Sequence, residues 1–548
     1  MQKSKKVRSR VFAFKVFSSI LFLALIGRLY YIQIYNNEEL KLESLKQRSI
    51  EIVFSASRGP IYDRNLMLLT NKEKIKTLVG QREAILNNND LLEKIRKNTR
   101  LSNRELLNIL NSNSSIVQIP LEKDIEFSEA NNIFIIDKVK RYSDENILSH
   151  VIGYINRSEN RGETGIEKVF DEYLKNSDRE SLFVEYDKNR SLILGGSYFA
   201  SNSNNDEDPA GVKLTIDYRI QKIVEEVLDE SKENGAVIVA DLQSGEILAM
   251  ASRPNFNQEN IEAYLNRDDM TLYNKAVQVS YPPGSIFKIV VTLAAIEENL
   301  DILDRDYYCN GYEKINNVII KCNNTEGHGK IDLTEAFAKS CNSVFIQIGK
   351  EIGAKKIIDM ARKLGFGQKV NIGLLEEVEG FLPEGEELLG PAIGNISIGQ
   401  GKIQATPLQI TNMMLIIGND GIKKDMTIIQ GITTKDGRMI KPYNKEKDER
   451  VISKESAKII QGLLKEVLNS GTASSLDLED IGGGAGKTGS AEGILKGEPI
   501  IHGWFAGYYP RENPKYVITV LVEKASSGSK SAAPIFEKIC KEIYSEIY

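Results

Sequence analysis

Histidine and cysteine are scarce in this chain, with three of one and four of the other among 548 residues. Four cysteines are too few for a disulfide-built scaffold. No internal repeat is present, which excludes a solenoid or propeller array. No acidic residue occurs among the first 28, which hold Lys3, Lys5, Lys6, Arg8, Arg10, Lys15 and Arg28. The net charge of the whole is −5, so the remainder is markedly acidic. An acidic body argues against nucleic acid as the main partner. The hydrophobic fraction of 41% and charged fraction of 27% are those of a folded chain, long enough for several domains.

The basic segment runs into "VFSSILFLALIG", Val16 to Gly27, and the apolar character continues through "RLYYIQI" to Ile34. From Val11 to Ile34 the stretch is long enough to cross a bilayer, with Lys15 and Arg28 able to snorkel to the interfaces. Tyr30 and Tyr31 suit the far interface, and the basic tail is expected to stay in the cytoplasm. No small-x-small cleavage site follows, so an uncleaved single-pass anchor in the plasma membrane is expected, with the rest of the chain outside the cell.

"SNSNNDEDPAG", Ser201 to Gly211, is a polar, breaker-rich linker. After it, "VKLTIDYRIQKIVEEVLDES" reads as a strand and an amphipathic helix, and "GAVIVADLQSGEILAMAS" as a hairpin turning at "LQSG". A second hairpin, "GWFAGYYPRENPKYVITVLVEKA", and a terminal helix, "SAAPIFEKICKEIYSEIY", close the chain. Strands near both ends with helices between and after predict an α+β domain whose sheet joins the two chain ends.

The stretch "YPPGSIFKIVVTL", Tyr281 to Leu293, puts a serine at a Pro-Pro-Gly corner where a helix starts. Lys288, three residues after Ser285, returns to the same side. A serine there has a base one turn away and helix N-terminal N–H groups nearby. It is thus a candidate nucleophile. A lone S-x-x-K is more often a helix cap beside a solvated lysine.

Two further motifs give it company. Ser340–Asn342 reads S-C-N, a weak signal alone, and Lys487–Ser490 reads K-T-G-S, a much rarer one, just before an apolar hairpin strand. The jobs are complementary. Ser285 attacks a carbonyl, and Lys288, neutral in a crowded cationic pocket, accepts its proton. Ser340 relays that proton to a leaving amine, and Asn342 holds the substrate amide and Lys288. Lys487, Thr488, Gly489 and Ser490 form a substrate-binding strand for a carboxylate terminus. The N–H groups of Ser285 and Ser490 serve as the oxyanion hole. The triple set S-x-x-K, S-x-N, K-T-G occurs in β-lactamases and penicillin-binding proteins.

With these motifs in this order, the chain resembles the class B, monofunctional penicillin-binding proteins over nearly its whole length. The resemblance also rests on "RGPIYDR", "HVIGYI", "GETGIEKVFDEYL", "AVIVADLQSGEILAMASRPNF", "SIGQGKIQATPLQ" and "AAPIF". Ser490 departs mildly, since threonine is more usual there. The resemblance implies a tail and anchor over 1–35 and an elongated pedestal (dimerisation-like) domain over 36–205. It implies a transpeptidase domain over 206–548, an antiparallel sheet flanked by helices. It implies a D,D-transpeptidase that cross-links peptidoglycan stem peptides through an acyl-enzyme on Ser285 and is acylated by penicillin and other β-lactams. No glycosyltransferase domain precedes the pedestal, so polymerisation is expected from a separate membrane partner of the SEDS type. Catalysis needs no cofactor.

Cys309, Cys322, His328 and Cys341 fall within 33 residues, spaced C-x12-C-x5-H-x12-C, and Cys341 lies inside the second motif. Structural zinc prefers four such ligands, although no tight C-x2-C knuckle is present. The alternatives are a Cys309–Cys322 disulfide and a merely buried, apolar Cys341. Glu326 or Asp332 stand as substitutes for Cys341 as fourth ligand. His150 and Cys540 read as structural, and His502 as structural with a place near the cleft.

Two rival functions compete. A D,D-carboxypeptidase or β-lactamase would use water as acceptor, but no convincing E-x-x-L-N segment to hold a deacylating water is found, and the pedestal and anchor argue against both. A non-catalytic β-lactam-binding scaffold would be expected to lose a motif, and none is lost.

Overall fold

The computed structural model describes the chain apart from residues 1, 38–39, 41–48, 54–57, 113, 115, 127–132, 176–178, 187–191, 203–209, 496 and 548. Residues 203–209 of the expected linker therefore lie outside the described residues. Two compact units are present. One comprises Met1–Ser57, Glu73–Arg141 and Asp178–Asn205, and the other Arg58–Lys72, Tyr142–Ser177 and Asp206–Tyr548.

Helix α1 (Gln2–Tyr30) opens the smaller unit, followed by a single wide turn over Tyr31–Tyr35. Arg10–Tyr35 is apolar and long enough to cross a membrane. Further on, an antiparallel sheet in the order Ile116–Leu121, Glu73–Gln81, Ile133–Lys140 packs with two short helices. Their buried Leu91, Ile95, Leu106 and Leu110 meet Leu78, Val117 and Ile119 in one core. Each helix starts where a side chain takes up free N–H groups. Asn88 accepts from Leu91 N, and Ser102 and Glu105 form a reciprocal capping box.

The larger unit is built on a five-stranded antiparallel sheet. Its strands are β1 (Gly235–Asp241), β2 (Ile247–Arg253), β3 (Ala485–Leu495), β4 (Glu498–Tyr509) and β5 (Tyr516–Val522), in the order β2-β1-β5-β4-β3. Both predicted hairpins are there, and the sheet joins the two ends of the domain as the sequence implies. Every residue of β5 is buried, which requires cover on both faces. The alternation of a strand shows how this is met. Thr519 bonds to Thr411 at 2.9 Å on one side. Its neighbour Val520 pairs with Phe505, whose ring packs against that of Phe536 with centroids 4.4 Å apart on the other.

The covering helices are α2 (Tyr218–Ser231), α3 (Lys288–Glu297), α4 (Leu333–Ala338), α5 (Asn342–Ile352), α6 (Pro407–Gly418), α7 (Lys454–Asn469) and α8 (Ala533–Ile547). Helix α6 carries Thr411 and α8 carries Phe536. All of α6 from Pro407 to Ile417 is buried, so it is apolar on every side, as a central core helix must be. The motif "ATPLQ" explains its start. Thr406 and Gln409 form a capping box with proline at the first turn. Gln409 also donates to the Gln368 and Glu379 carbonyls.

Two motifs of the resemblance hold a buried ionic knot in the larger unit. Arg58 of "RGPIYDR" donates to Glu167 Oε2 at 2.7 Å and pairs with Asp171 at 2.8 Å, both from "GETGIEKVFDEYL". Tyr142 donates to the other Glu167 oxygen at 3.0 Å. Arg58 and Glu167 are fully buried. A charge with no water nearby is tolerated only when so paired.

Candidate active site

The Pro-Pro-Gly corner does what its residues dictate. It ends in a tight 3-10 turn, Gly284–Phe287, and α3 begins at Lys288 rather than at Ser285. In a 3-10 turn residues three apart eclipse one another, so Ser285 and Lys288 share one side more closely than on an α-helix. Gly284 has φ +55, and a Cβ there would stand 2.8 Å from the Ser490 carbonyl oxygen. Only glycine lets the serine turn press this closely on the K-T-G-S strand. Trp504 Nε1 donates to the Pro282 carbonyl at 3.0 Å and fixes the corner from behind.

Lys288 is fully buried. Its Nζ lies 2.6 Å from the Ser340 carbonyl, 3.1 Å from Ser340 Oγ and 2.8 Å from Asn342 Oδ1. Burial lowers its pKa to about 7, against an opposing upward push from Cys341 and Cys322. Lys487 is held well below the ordinary lysine value by burial and then by Lys288. Two lysines in one dry pocket cannot both stay charged cheaply.

Ser340 sits where α4 ends. Its N–H bonds the Phe337 carbonyl, and the Cys341 N–H bonds the Ala336 carbonyl. This is a Schellman cap, whose left-handed position usually belongs to glycine. Ser340 takes it with φ +56, a conformation that costs a side-chain-bearing residue about 1 kcal/mol or more. The chain reverses there, so α5 starts at once and presents Asn342 from its first turn.

The K-T-G-S residues lie within β3, the free edge of the sheet. Ser490 is exposed, and its Oγ accepts from Gly528 N at 3.0 Å, which leaves the hydroxyl hydrogen for a ligand. Thr488 Oγ1 is 2.6 Å from Thr472 Oγ1. A Cβ on Gly489 would stand 3.1 Å from the Pro283 carbonyl oxygen. All three motifs thus converge.

Several supporting residues were given no role by the sequence reasoning. Thr472 lies just past α7. Lys275 and Tyr281 both bind Glu523, at 2.5 and 2.8 Å, behind the serine corner. Gln400, from the loop "SIGQG", donates to the Ser490 carbonyl at 3.4 Å. None belongs to a spacing pattern. Only the Thr-Ala after a long helix and the glycine-flanked Gln400 hint at a site. His150 is half-buried, with Nε2 on the Thr271 carbonyl and its pKa lowered to about 4 by desolvation. His502 is buried against Tyr281. Cys540 is core.

The four cysteines are free thiols, so the Cys309–Cys322 disulfide is not formed. Instead the ligand atoms of Cys309, Cys322, His328 and Cys341 lie within 4.8 Å of one another. The Cys322 sulfur stands 3.7 Å from both the Cys341 sulfur and His328 Nδ1. The Cys322–Cys341 contact draws the Cys322 thiol pKa down and pushes that of Cys341 up. Ligands about 2.0–2.3 Å from one tetrahedral ion are roughly 3.5–3.8 Å apart, a spacing that the Cys322–Cys341 and Cys322–His328 contacts match. The fourth member of the cluster is Cys341. Asp332 caps α4 instead, accepting from Glu335 N, and Glu326 is exposed.

Comparison with known proteins agrees with this arrangement. Residues 235–541 match the penicillin binding protein transpeptidase domain, and residues 53–193 the penicillin-binding protein dimerisation domain. The chain is 29% identical to stage V sporulation protein D of Bacillus subtilis, over 99% of this chain and 86% of that one. It is 28% identical to peptidoglycan D,D-transpeptidase FtsI of Buchnera aphidicola, over 100% and 97%. A chain from a peptidoglycan synthase complex that coordinates polymerization and crosslinking shares the fold, with TM-score 0.70 and 24% identity over 98% of both chains. The chain belongs to the penicillin-binding protein transpeptidase family, as a class B member with a dimerisation domain ahead of its transpeptidase domain.

Proposed function

We propose that this protein is a peptidoglycan D,D-transpeptidase working through Ser285. The observation that carries the reading is Lys288, buried, one 3-10 turn from Ser285 and bonded to both Ser340 and Asn342. In the first step Ser285 Oγ attacks the carbonyl of the penultimate D-Ala of a stem pentapeptide, and Lys288 takes the hydroxyl proton. The oxyanion meets the N–H groups of Ser285 and Ser490. The amide C–N bond then breaks. The proton passes from Lys288 through Ser340 to the departing nitrogen, and D-Ala leaves. Asn342 holds the donor amide, and Lys487, Thr488 and Ser490 hold the terminal carboxylate. In the second step an amine of a neighbouring stem attacks the ester, Lys288 takes its proton, and the C–O bond breaks to return that proton to Ser285. Penicillin and other β-lactams would acylate Ser285 by the first step alone.

Cys309, Cys322, His328 and Cys341 would hold a structural zinc ion. When bound, the ion supplies a positive charge that compensates the thiolates and cross-links the segments before α5. The chain's own residues carry the chemistry.

The N-terminal apolar helix would anchor the protein in the plasma membrane with its basic tail in the cytoplasm and its catalytic domain outside, over the boundaries 1–35, 36–205 and 206–548. The partner would be a membrane glycan polymerase of the SEDS type. The reading is tested by incubating the full chain with a pentapeptide donor and an amine acceptor. Release of D-Ala with formation of the cross-linked peptide is expected. Release with hydrolysed donor alone would make the enzyme a carboxypeptidase, and no release would refute catalysis.

A further inference from the structure

An ionic triad stands directly behind the serine corner. Tyr281, four residues before Ser285, is buried, and its hydroxyl donates to Glu523 Oε1 at 2.8 Å. The other carboxylate oxygen, Oε2, accepts from Lys275 Nζ at 2.5 Å. Lys275 is 2% exposed, so its ammonium is held almost without water. Lys275 and Tyr281 lie on the segment between β2 and the serine turn, and Glu523 follows β5 directly.

Stability alone does not require charge at this place, because apolar residues of similar volume hold a buried position as well as an ion pair does, or better. What a carboxylate adds is direction, since its two oxygens fix two donors at once. Here one of those donors belongs to the corner that carries Ser285. The backbone of that corner is already fixed. Tyr281 pairs in both directions with Ala405, at 2.9 and 2.8 Å, and the Gly284 N–H donates to the Gly399 carbonyl at 2.9 Å. The Tyr281 ring lies edge-on to His502 and Trp504, with centroids 5.0 and 6.2 Å away. Such ring contacts place the tyrosine sideways, and the Glu523 bond fixes it along its length. Glu523 also opens the segment that reaches the substrate strand. Its N–H donates to the Asn234 carbonyl and that of Ala525 to the Ile501 carbonyl, both at 2.8 Å. The Gly528 N–H then donates to Ser490 Oγ at 3.0 Å. Residues 523–528 thus run from the nucleophile's corner to the hydroxyl of the K-T-G-S strand.

We propose that Glu523 is a positioning residue for the acylation step: paired with Lys275, it fixes Tyr281 and, through Tyr281, the placement of Ser285 against the K-T-G-S strand. The inference rests on the proposed role of Ser285 as nucleophile. Glu523 acts through Tyr281 and not on the reacting atoms, so it governs alignment rather than substrate binding. A displacement of about 1 Å at a reacting atom costs on the order of a hundredfold in rate.

The test follows acylation of the full chain by rapid mixing over a range of penicillin concentrations. This separates the rate at saturation from the concentration that half-saturates it, and thermal unfolding of the same samples measures stability. Tyr281→Phe keeps the ring and removes the bond. It is expected to lower the saturating rate about tenfold or more, with the half-saturating concentration within about twofold of wild type. Lys275→Met with Glu523→Leu replaces the ion pair by apolar side chains. That double variant is expected to fold as stably as wild type and to lose rate to the same extent. Lys275→Met with Glu523→Gln leaves an amide oxygen for Tyr281 and is expected to recover most of the rate. A Tyr281→Phe protein with the wild-type saturating rate overturns the inference, whether or not the double variants fold. So does a loss that lies wholly in the half-saturating concentration. In either case acylation of the wild type leaves the Ser285 reading intact, whereas a wild type that penicillin fails to acylate removes both.

Discussion

Lys288 Nζ stands 2.8 Å from Asn342 Oδ1. The amine also faces the Ser340 carbonyl at 2.6 Å. A neutral amine has two N–H groups for these two oxygens and a lone pair that a hydroxyl hydrogen can reach. The cleft around Lys288 therefore suits a lysine that acts as a base.

On the proposed reading, that base sets the pH profile. Its pKa is lowered to about 7, chiefly by burial, and only the neutral form takes a proton. Penicillin acylation is expected to fall as pH drops through 7, reaching about a tenth of its plateau at pH 6. The folding linkage runs the same way. Between about pH 7 and 10.5 the unfolded chain binds a proton that the native lysine has shed, so stability rises with pH across that window. Rapid-mixing acylation rates from pH 5.5 to 9 check the profile, and a flat one would contradict it.

On the proposed reading, Ser340 trades stability for chemistry. Its left-handed backbone at the end of α4 is the place where glycine is least strained. Ser340→Gly is expected to stabilise the domain by about 1 kcal/mol and to lower acylation by at least tenfold. Thermal unfolding and acylation of one preparation measure both. A variant that is both less stable and fully active would refute the trade.

The Cys309–Cys322–His328–Cys341 cluster adjoins this same turn. Metal analysis of the purified chain is expected to give one zinc per protein, and a strong chelator is expected to slow acylation as it removes the metal. Cys309→Ser, remote from Lys288 in sequence, is expected to weaken retention of the metal by tenfold or more. Metal-free protein with full acylation would refute the structural ion.

Arg58 is a stability residue. Removing one partner of a buried pair strands the other charge, at a cost of about 3–5 kcal/mol. Arg58→Ala is expected to lower the unfolding midpoint steeply, and Arg58→Ala with Glu167→Gln to recover part of the loss. Denaturant unfolding of both decides, and additive losses would contradict the pairing.

Much of this architecture was legible in the residues. Both hairpins and the serine corner follow from breakers, alternation and apolar runs. The cysteine cluster was legible as a set, but spacing alone left zinc, disulfide and core packing open. Sulfur positions depend on how Tyr307–Cys309, Gly329–Ile331 and α5 meet, which is tertiary information. Likewise, nothing local in Ser340 announces a left-handed residue. It takes that conformation because α4 and α5 follow each other without a linker. The supports Thr472 and Glu523 come from distant segments joined only by the sheet and α7, so no motif could carry them.

The central claim is that Ser285 forms the acyl-enzyme. Intact-protein mass spectrometry of the full chain after incubation with penicillin tests it most directly. Wild type is expected to gain the mass of one penicillin and keep it for many minutes, with Ser285→Ala gaining nothing. An adduct on the alanine variant, or no adduct on a folded wild type, would contradict the account.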